Sequence, residues 1–510
     1  MQPTKPSPQP AQAPKATPPA APTDLPIANA VMTILMQAHQ NRATDIHIEP
    51  RDSLTQVRFR IDGTLRDSMT LPQAISPAVM SRLKVMSQLK VNENLIPQNG
   101  RLKVALGSEV IEARVSVLPV VGGEKIVIRI LDDATKIRPI ENLGLNAPAL
   151  TVALKRLDER QGMILVSGPS GSGKTTTLYS ALTRINSKDA NISTIEDPVE
   201  YSIPGINQTQ VDVRAGVTFA NGLRAVLRQD PNVIMVGELS DNETASLALQ
   251  ATMSGHTVLA GIYTKNAASA LPRLLNMNIE PFLIATTVKA VIAQRLVRRL
   301  CPQCREAYTV TTEELDKINK SFVIRRAIDA FHALQETGAL PAALSPLTKE
   351  SDTPPKEKSS TKLDGESRKV IPVPAELTTG QSSILNRIAQ DPALIDRPDA
   401  TDDEKAALEA FATQPTTIAQ TVSTNLGSPS DLTLYRAKGC TECSNSGYYG
   451  RLGIFEVLDV SPKISQLVTE QASDEAISTQ AVNEGMMTMQ EDGFIKALQG
   501  FTTVDEIIHL

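Results

Sequence analysis

The segment Gly168-Pro169-Ser170-Gly171-Ser172-Gly173-Lys174-Thr175 constrains this chain's fold more than any other stretch. It matches G-x-x-x-x-G-K-[ST], follows the apolar run GMILVS and precedes a helical pattern opening at Thr175. A strand, a glycine-rich turn and a helix in that order direct backbone N–H groups and the positive end of a helix at one point, where an anion fits. Ordinary residue frequencies give roughly 0.02 chance matches in a chain of this size. The segment therefore reads as a nucleotide site: the glycine turn wraps the β-phosphate, Lys174 meets the β- and γ-phosphates, the Thr175 hydroxyl holds Mg²⁺, and Thr176 closes the binding run. A plain glycine-rich βα turn is the alternative.

The surrounding pattern agrees with an α/β sheet. Apolar runs ISTIED, VIMVGE and TVLAGIY alternate with helical stretches, as parallel strands with crossover helices do. Two further helices, one of them IATTVKAVIAQRLVRRL, are expected to lead into Cys301. Upstream, an amphipathic helix (IANAVMTILMQAHQ) precedes the alternating segments DIHIEP and VRFRIDGTLR, a hairpin pattern with a turn signal at Asp62-Gly63. Another helix and three strand-like runs carry this small α/β domain to about residue 133. Residues 1–25 hold eight prolines and read as a disordered tail. Residues 134–150 read as a linker, 151–300 as the nucleotide domain, 301–456 as a cysteine subdomain with a long insertion at about 306–430, and 457–510 as short helices. Within the insertion, KESDTPPKEKSSTKLDGESRKVIPVP is polar and expected to be disordered, while SSILNRIAQ and DDEKAALEAFA suit helices.

Composition removes several classes. The 510 residues suggest about three domains, and no apolar stretch is long enough to cross a bilayer. The start lacks a secretory h-region, which points to a cytoplasmic chain. With 51 Lys and Arg against 56 Asp and Glu, 3% aromatic residues and no Trp, basic stripes and stacking platforms for nucleic acid are scarce.

Two carboxylate groups end apolar strands: Glu196-Asp197-Pro198-Val199-Glu200 after ISTI, and Gly237-Glu238 after VIMV. In an open α/β sheet, ligands lie beyond the carboxyl ends of the strands, so both groups should edge the phosphate loop. Glu238 is the candidate for orienting and deprotonating an attacking water, with Glu196 assisting at Mg²⁺ or its waters. For Asp197 and Glu200, capping of following helices is an equal alternative.

With these blocks in order, the chain resembles the secretion ATPases that drive type II secretion and type IV pilus assembly. STIEDPVEY is similar to that family's Asp box, LRAVLRQDPNVIMVGE to its Walker B region and GHTVLAGIYT to its His box. ATDIHIEP, VRFRIDG, EARVSVLP and GEKIVIRIL look like its PAS-like second N-terminal domain, and GCTECSNSGYYGRLGIFEVL like its metal subdomain. The resemblance implies a PAS-like domain followed by a RecA-like P-loop ATPase domain, with a four-cysteine metal subdomain and a helical C-terminal extension. It also implies ATP as substrate, a homohexamer, and catalytic roles for Arg101, Arg114, Arg224, Arg228 and His256. The arginines would neutralise charge on the transferred phosphoryl group; for each, a solvated surface ion pair is the alternative. Three positions depart from the family pattern: Tyr263 replaces a second His-box histidine, Lys265 a small polar residue and Ser240 an arginine.

Cys301/Cys304 and Cys440/Cys443 form two C-x-x-C pairs, which suit one tetrahedral Cys₄ zinc site better than a redox dithiol. The resemblance makes the chain an assembly-type motor at the cytoplasmic face of the inner membrane, docked on a polytopic platform protein. A retraction motor, or a slow ATP-binding partner of a paralogue, are its rivals.

Overall fold

The computed structural model describes residues 24–106, 109–131, 137–311, 314, 318, 324–336 and 432–508. Residues 1–23 of the expected tail and most of the expected insertion, including its suggested helices, lie outside the described residues. The larger of two units comprises Met1–Tyr308, Asp316–Leu344 and Thr433–Leu510. The smaller, Thr309–Leu315 and Ser345–Leu432, lies almost wholly outside the described residues.

Helix α1 (Asp24–Gln40) leads into β1 (Asp45–Pro50), β2 (Leu54–Ile61), β3 (Thr64–Pro72), α2 (Ser76–Met86), β4 (Gln98–Leu106), β5 (Glu109–Val120) and β6 (Gly123–Ile130). The strands form an antiparallel sheet of order β3-β2-β1-β6-β5-β4. Period-two alternation decides its faces. Ile46, Ile48, Val57, Phe59, Ile126 and Ile128 pack against Val31, Ile34 and Leu35 of α1 and Val79 and Leu83 of α2. The intervening positions of β1 carry Asp45, His47 and Glu49. At the β2–β3 turn Asp62 (φ 49°) and Gly63 (φ 85°) are both left-handed, as a tight two-residue hairpin requires.

The second sheet begins after α3 (Ala147–Asp158), which starts inside the expected linker and takes its N-cap from Asn146, whose side chain accepts from the Ala149 N–H. In chain order follow β7 (Gly162–Ser167), α4 (Lys174–Ile185), β8 (Ile192–Glu196), β9 (Asn207–Gln210), α5 (Phe219–Leu227), β10 (Val233–Val236), α6 (Asn242–Met253), β11 (Thr257–Ile262), α7 (Ala270–Asn276), α8 (Pro281–Thr287) and β12 (Val288–Leu300). Beyond these, β13 (Arg305–Thr309) and β14 (Thr433–Ala437) make a two-stranded sheet, and β15 (Tyr448–Asp459) returns to the large one. Its order is β15-β12-β7-β11-β10-β8-β9, parallel except for β15. Every residue of β7 and β11 is buried, because helices cover both faces. Ile164 and Val166 pack with Leu178 and Leu182 of α4; Met163 and Leu165 share the opposite core with Leu223 of α5 and Leu249 of α6.

One expected element is wrong. The helix expected over IATTVKAVIAQRLVRRL ends at Thr287, and Val288–Leu300 is strand. β7 and β15 pair with its two edges, while Val291 and Ala293 enter the core on one face of the sheet and Ile292 the core on the other, so β12 is buried on both faces. Such a strand shows no alternation and cannot be told from a buried helix by periodicity. The expected short C-terminal helices are present, at Pro462–Thr469, Asp474–Asn483, Met489–Leu498 and Val504–Ile508. A buried ion pair, Lys496 Nζ to Asp492 Oδ2 at 2.6 Å, fixes the third of them, with Asp492 also accepting from Asn146 and from the Phe455 N–H. Among the described residues, no helix is long and apolar enough to cross a membrane.

Candidate functional site

The phosphate loop leaves the carboxyl end of β7, an interior strand between β12 and β11, and ends at the first turn of α4. Gly168 (φ 148°) and Gly173 (φ 93°) are required by space as well as by backbone angle. A Cβ on Gly168 would stand 2.6 Å from the Gln294 carbonyl oxygen, and one on Gly173 2.8 Å from Gln294 Nε2. Pro169 and Ser170 face outward, Gly171 takes φ 77°, and Ser172 is buried with its Oγ unpaired among the described residues. Lys174 Nζ donates to the carbonyls of Gly168 (2.8 Å) and Pro169 (3.2 Å), so its ammonium lies over the loop. Burial lowers the Lys174 pKa and the Glu238 carboxylate opposes that shift; β7, β11 and β10 run parallel, so the phosphate loop after β7 and Glu238 after β10 lie at the same carboxyl edge of the sheet. Thr175, half-buried, and Thr176, exposed, lie in the first turn of α4. Glycine-shaped space, an unpaired buried hydroxyl, a free helix N-terminus and a lysine over the turn suit a phosphate chain.

Glu238 itself is exposed beyond β10. Its turn approaches β11 closely: the Leu239 N–H donates to the Gly261 carbonyl at 2.7 Å, and a Cβ on Gly261 would lie 2.2 Å from the Gly237 oxygen. Glu196, by contrast, is 3% exposed, and three neighbours occupy its carboxylate. Tyr179 Oη and Thr194 Oγ1 donate to it, and Gln208 Nε2 donates at 3.1 Å. Burial, and then the Glu196 carboxylate, hold the Tyr179 hydroxyl protonated far above its usual range. Capping by Asp197 or Glu200 does not occur, since the chain continues toward β9 rather than into a helix. Asp197 instead lines a cavity of about 620 Å³.

That cavity lies between the polar face of the first sheet and the turn after β8, and is lined by Arg101, Arg114, Arg129, Asp197, Pro198 and Gln210 among others. Arg101 and Arg114 are directly paired across β4 and β5. Arg101 Nη2 donates to Gln210 Oε1 at 3.2 Å; Arg114 Nη2 donates to the Val199 carbonyl at 2.5 Å and pairs with Glu200 at 3.1 Å. Burial lowers the Arg114 pKa, partly countered by Glu200. Arg224 on α5 and Arg228 at its C-cap are both exposed. Arg224 pairs with Glu243. The structure thus gathers Arg101 and Arg114 at the β8 turn, while Arg224 and Arg228 stand apart from them on the helix surface.

The two ends of β11 separate residues that one motif had joined. His256 precedes the strand, and its Nδ1 lies 2.8 Å from the Pro231 carbonyl, at the amino edge of the sheet. Tyr263 follows the strand, 57% exposed, with Lys174 Nζ 5.9 Å from its ring centre. Tyr263, and not His256, faces the phosphate loop. Ser240 is exposed just before Asp241, whose side chain caps α6, and the Lys265 carbonyl accepts from Arg295.

Gln294 was not expected at this edge, because its segment read as helix. It is 2% exposed on β12; Nε2 donates to the Ser172 carbonyl at 2.7 Å and Oε1 accepts from Thr177 Oγ1 at 2.6 Å.

The four cysteines converge where β12 and β15 leave the sheet. Their sulfurs all lie within 4.8 Å of one another, with Cys301–Cys440 and Cys304–Cys443 at 3.8 Å and Cys440–Cys443 at 3.6 Å. Burial pushes the Cys301 thiol up to about 12. At Cys443 burial also pulls upward, yet the N–H groups of Cys440 and Gly447, 3.2 Å from its sulfur, bring it down to about 6. Such a cluster can hold a metal ion.

Residues 20–341 and 405–509 match the family model described as Type II/IV secretion system protein. The chain is 34% identical over 487 residues to type II secretion system protein E of Pseudomonas aeruginosa, covering 96% of this chain and 76% of that protein. It is also 34% identical over 490 residues to the type IV pilus assembly ATPase PilB of Myxococcus xanthus, covering 95% and 68%. In fold it is similar to the ATPase DotB of Legionella pneumophila (TM-score 0.54, 15% identity, 97% and 96% covered). A phosphate loop, an acid beyond β10 of the same sheet and a four-cysteine cluster thus sit in a chain matched along most of its length: it belongs to the type II/IV secretion system protein family.

Proposed function

We propose that this chain is an ATP-hydrolysing motor of a type II secretion or type IV pilus assembly machine. The observation that carries the reading is the shared carboxyl edge of the sheet on which the phosphate loop with Lys174 and the turn with Glu238 lie, in a chain whose relatives bear those names. The loop N–H groups and Lys174 bind the phosphates, and the Thr175 hydroxyl would hold Mg²⁺, which neutralises phosphate charge when bound. Glu238, exposed at the same edge of the sheet, orients the attacking water and takes its proton on a carboxylate oxygen. Glu196 acts through Tyr179, Thr194 and Gln208, fixing the β8 turn. Arg101 and Arg114 reach the phosphoryl oxygens from a PAS-like first domain over a RecA-like second one. Arg224 and Arg228 serve a neighbouring copy in a homohexamer seated on a polytopic inner-membrane platform protein.

The cysteine cluster fits Zn²⁺. A tetrahedral ion with sulfur at about 2.3 Å implies sulfur–sulfur edges of about 3.8 Å, which the cluster supplies. Phosphate release from ATP with Mg²⁺ should be measurable, and metal analysis should find about one zinc per chain. A purified, folded protein that binds ATP without turnover would favour instead the slow partner subunit, the reading to which Tyr263 and Ser240 lend support.

A further inference from the structure

Gln294 touches the phosphate loop from a different strand, and the pairing of β12 with β7 puts it there: Ala293 stands opposite Ser167, so Gln294 falls beside Gly168. Its orientation is fixed by chemistry. The Ser172 carbonyl can only accept, so the amide nitrogen must face it; the Thr177 hydroxyl then donates to the amide oxygen. Ser172 and Thr177 are themselves 3% and 2% exposed, so water does not compete for these bonds. In a trans peptide the C=O and the next N–H point in opposite directions. Holding the Ser172 oxygen toward β12 therefore turns the Gly173 N–H to the other side, into the concavity of the loop. We propose that Gln294 is a positioning residue that sets the Ser172–Gly173 peptide for phosphate binding, an inference that rests on the ATP reading above.

Glycine at 173 is part of the same device, because a Cβ there would lie 2.8 Å from Gln294 Nε2. Replacement of the amide by a carboxylate tests the orientation. In Gln294→Glu the ionised side chain can still accept from Thr177 but faces the Ser172 oxygen without a proton. The peptide should turn away and the loop lose an N–H donor. Burial at this 2%-exposed position and the facing Ser172 oxygen raise the pKa of the introduced carboxyl, so acidification protonates it and restores an O–H donor for Ser172.

The test is titration of wild type and variants with fluorescent mant-ADP and Mg²⁺ at pH 8 and pH 6, with circular dichroism confirming the fold. Gln294→Glu should bind about tenfold or more weakly than wild type at pH 8 and regain most of the difference at pH 6. Gln294→Met, which fills similar volume without a donor, should be weakened at both pH values. Wild-type affinity in either variant at pH 8 would overturn the proposal, as would a Gln294→Glu defect that persists unchanged at pH 6. If wild type itself fails to bind mant-ADP, the ATP reading falls, not the placement of Gln294.

Discussion

The phosphate loop and the cysteine cluster are built by opposite means. At the loop, consecutive residues supply the site and most of the binding groups are backbone, so its geometry is local, braced by one side chain from β12. At the cluster, side chains do the binding, and two pairs far apart in sequence meet only because β12 pairs with β15, Leu300 standing opposite Tyr448 just where both strands leave the sheet. The first site accepts a ligand that comes and goes and should survive without it. The second confines four sulfurs within 4.8 Å, with Cys301 and Cys443 buried, a cluster that could hold a metal ion and on the proposed reading depends on it. Damage at the loop should therefore cost activity at unchanged stability, and damage at the cysteines should do the reverse.

Lys174→Ala offers the largest effect and the clearest way to break that contrast. Loss of the cation over the loop should lower turnover by at least about 10³-fold and weaken nucleotide binding. The melting temperature should move little, since a half-buried ammonium is removed along with the cost of burying it. A large loss of melting temperature would show that the loop is structural after all. Glu238→Gln should follow, with turnover down by about 10²-fold or more and ATP affinity retained, because the amide cannot take the proton from water. Equal turnover in wild type and the glutamine variant would remove Glu238 from the mechanism.

Cys440→Ser probes the other side. We expect loss of bound zinc and of about 3 kcal/mol of stability, seen as a melting temperature lowered by roughly 6–12 °C. A chelator applied to wild type should reproduce the shift. Unchanged zinc content and melting temperature would mean that the four cysteines do not form one site.

The same contrast explains what could be read from the residues alone. A contiguous motif such as 168–175 carries its own context, and alternation gave away β1 and β2, where one face is apolar and the other charged. The cysteine pairs were equally legible, since spacing fixes ligand chemistry even when the meeting of the pairs does not show. β12 was not legible, because burial on both faces erases the period, and Gln294 was hidden with it. The carboxyl end of a strand can be inferred from a run of apolar residues, but GHTVLAGIYT has polar groups at both ends. Nothing local says that strand direction sends Tyr263 to the nucleotide edge and His256 to the opposite one.

That last pair yields the smallest predicted effects and the sharpest division. β11 spans six residues, so His256 and Tyr263 are separated by roughly 23 Å of extended chain. His256→Ala should remove one hydrogen bond to the Pro231 carbonyl, costing about 1 kcal/mol of stability, and leave turnover within about twofold. Tyr263→His places near Lys174 a ring that changes charge close to neutrality, where tyrosine offers a single hydroxyl. The loop and Lys174 dominate binding, so ATP affinity should stay within about twofold. Turnover should change several-fold and gain a dependence on pH between about 6 and 8, protonation of the new imidazole altering the charge beside the phosphates as the pH falls. Profiles that coincide for wild type and the histidine variant would make Tyr263 a packing residue. A turnover defect in His256→Ala larger than that of Tyr263→His would mean that the amino edge of the sheet, far from the phosphate loop, contributes to the reaction through the strand itself.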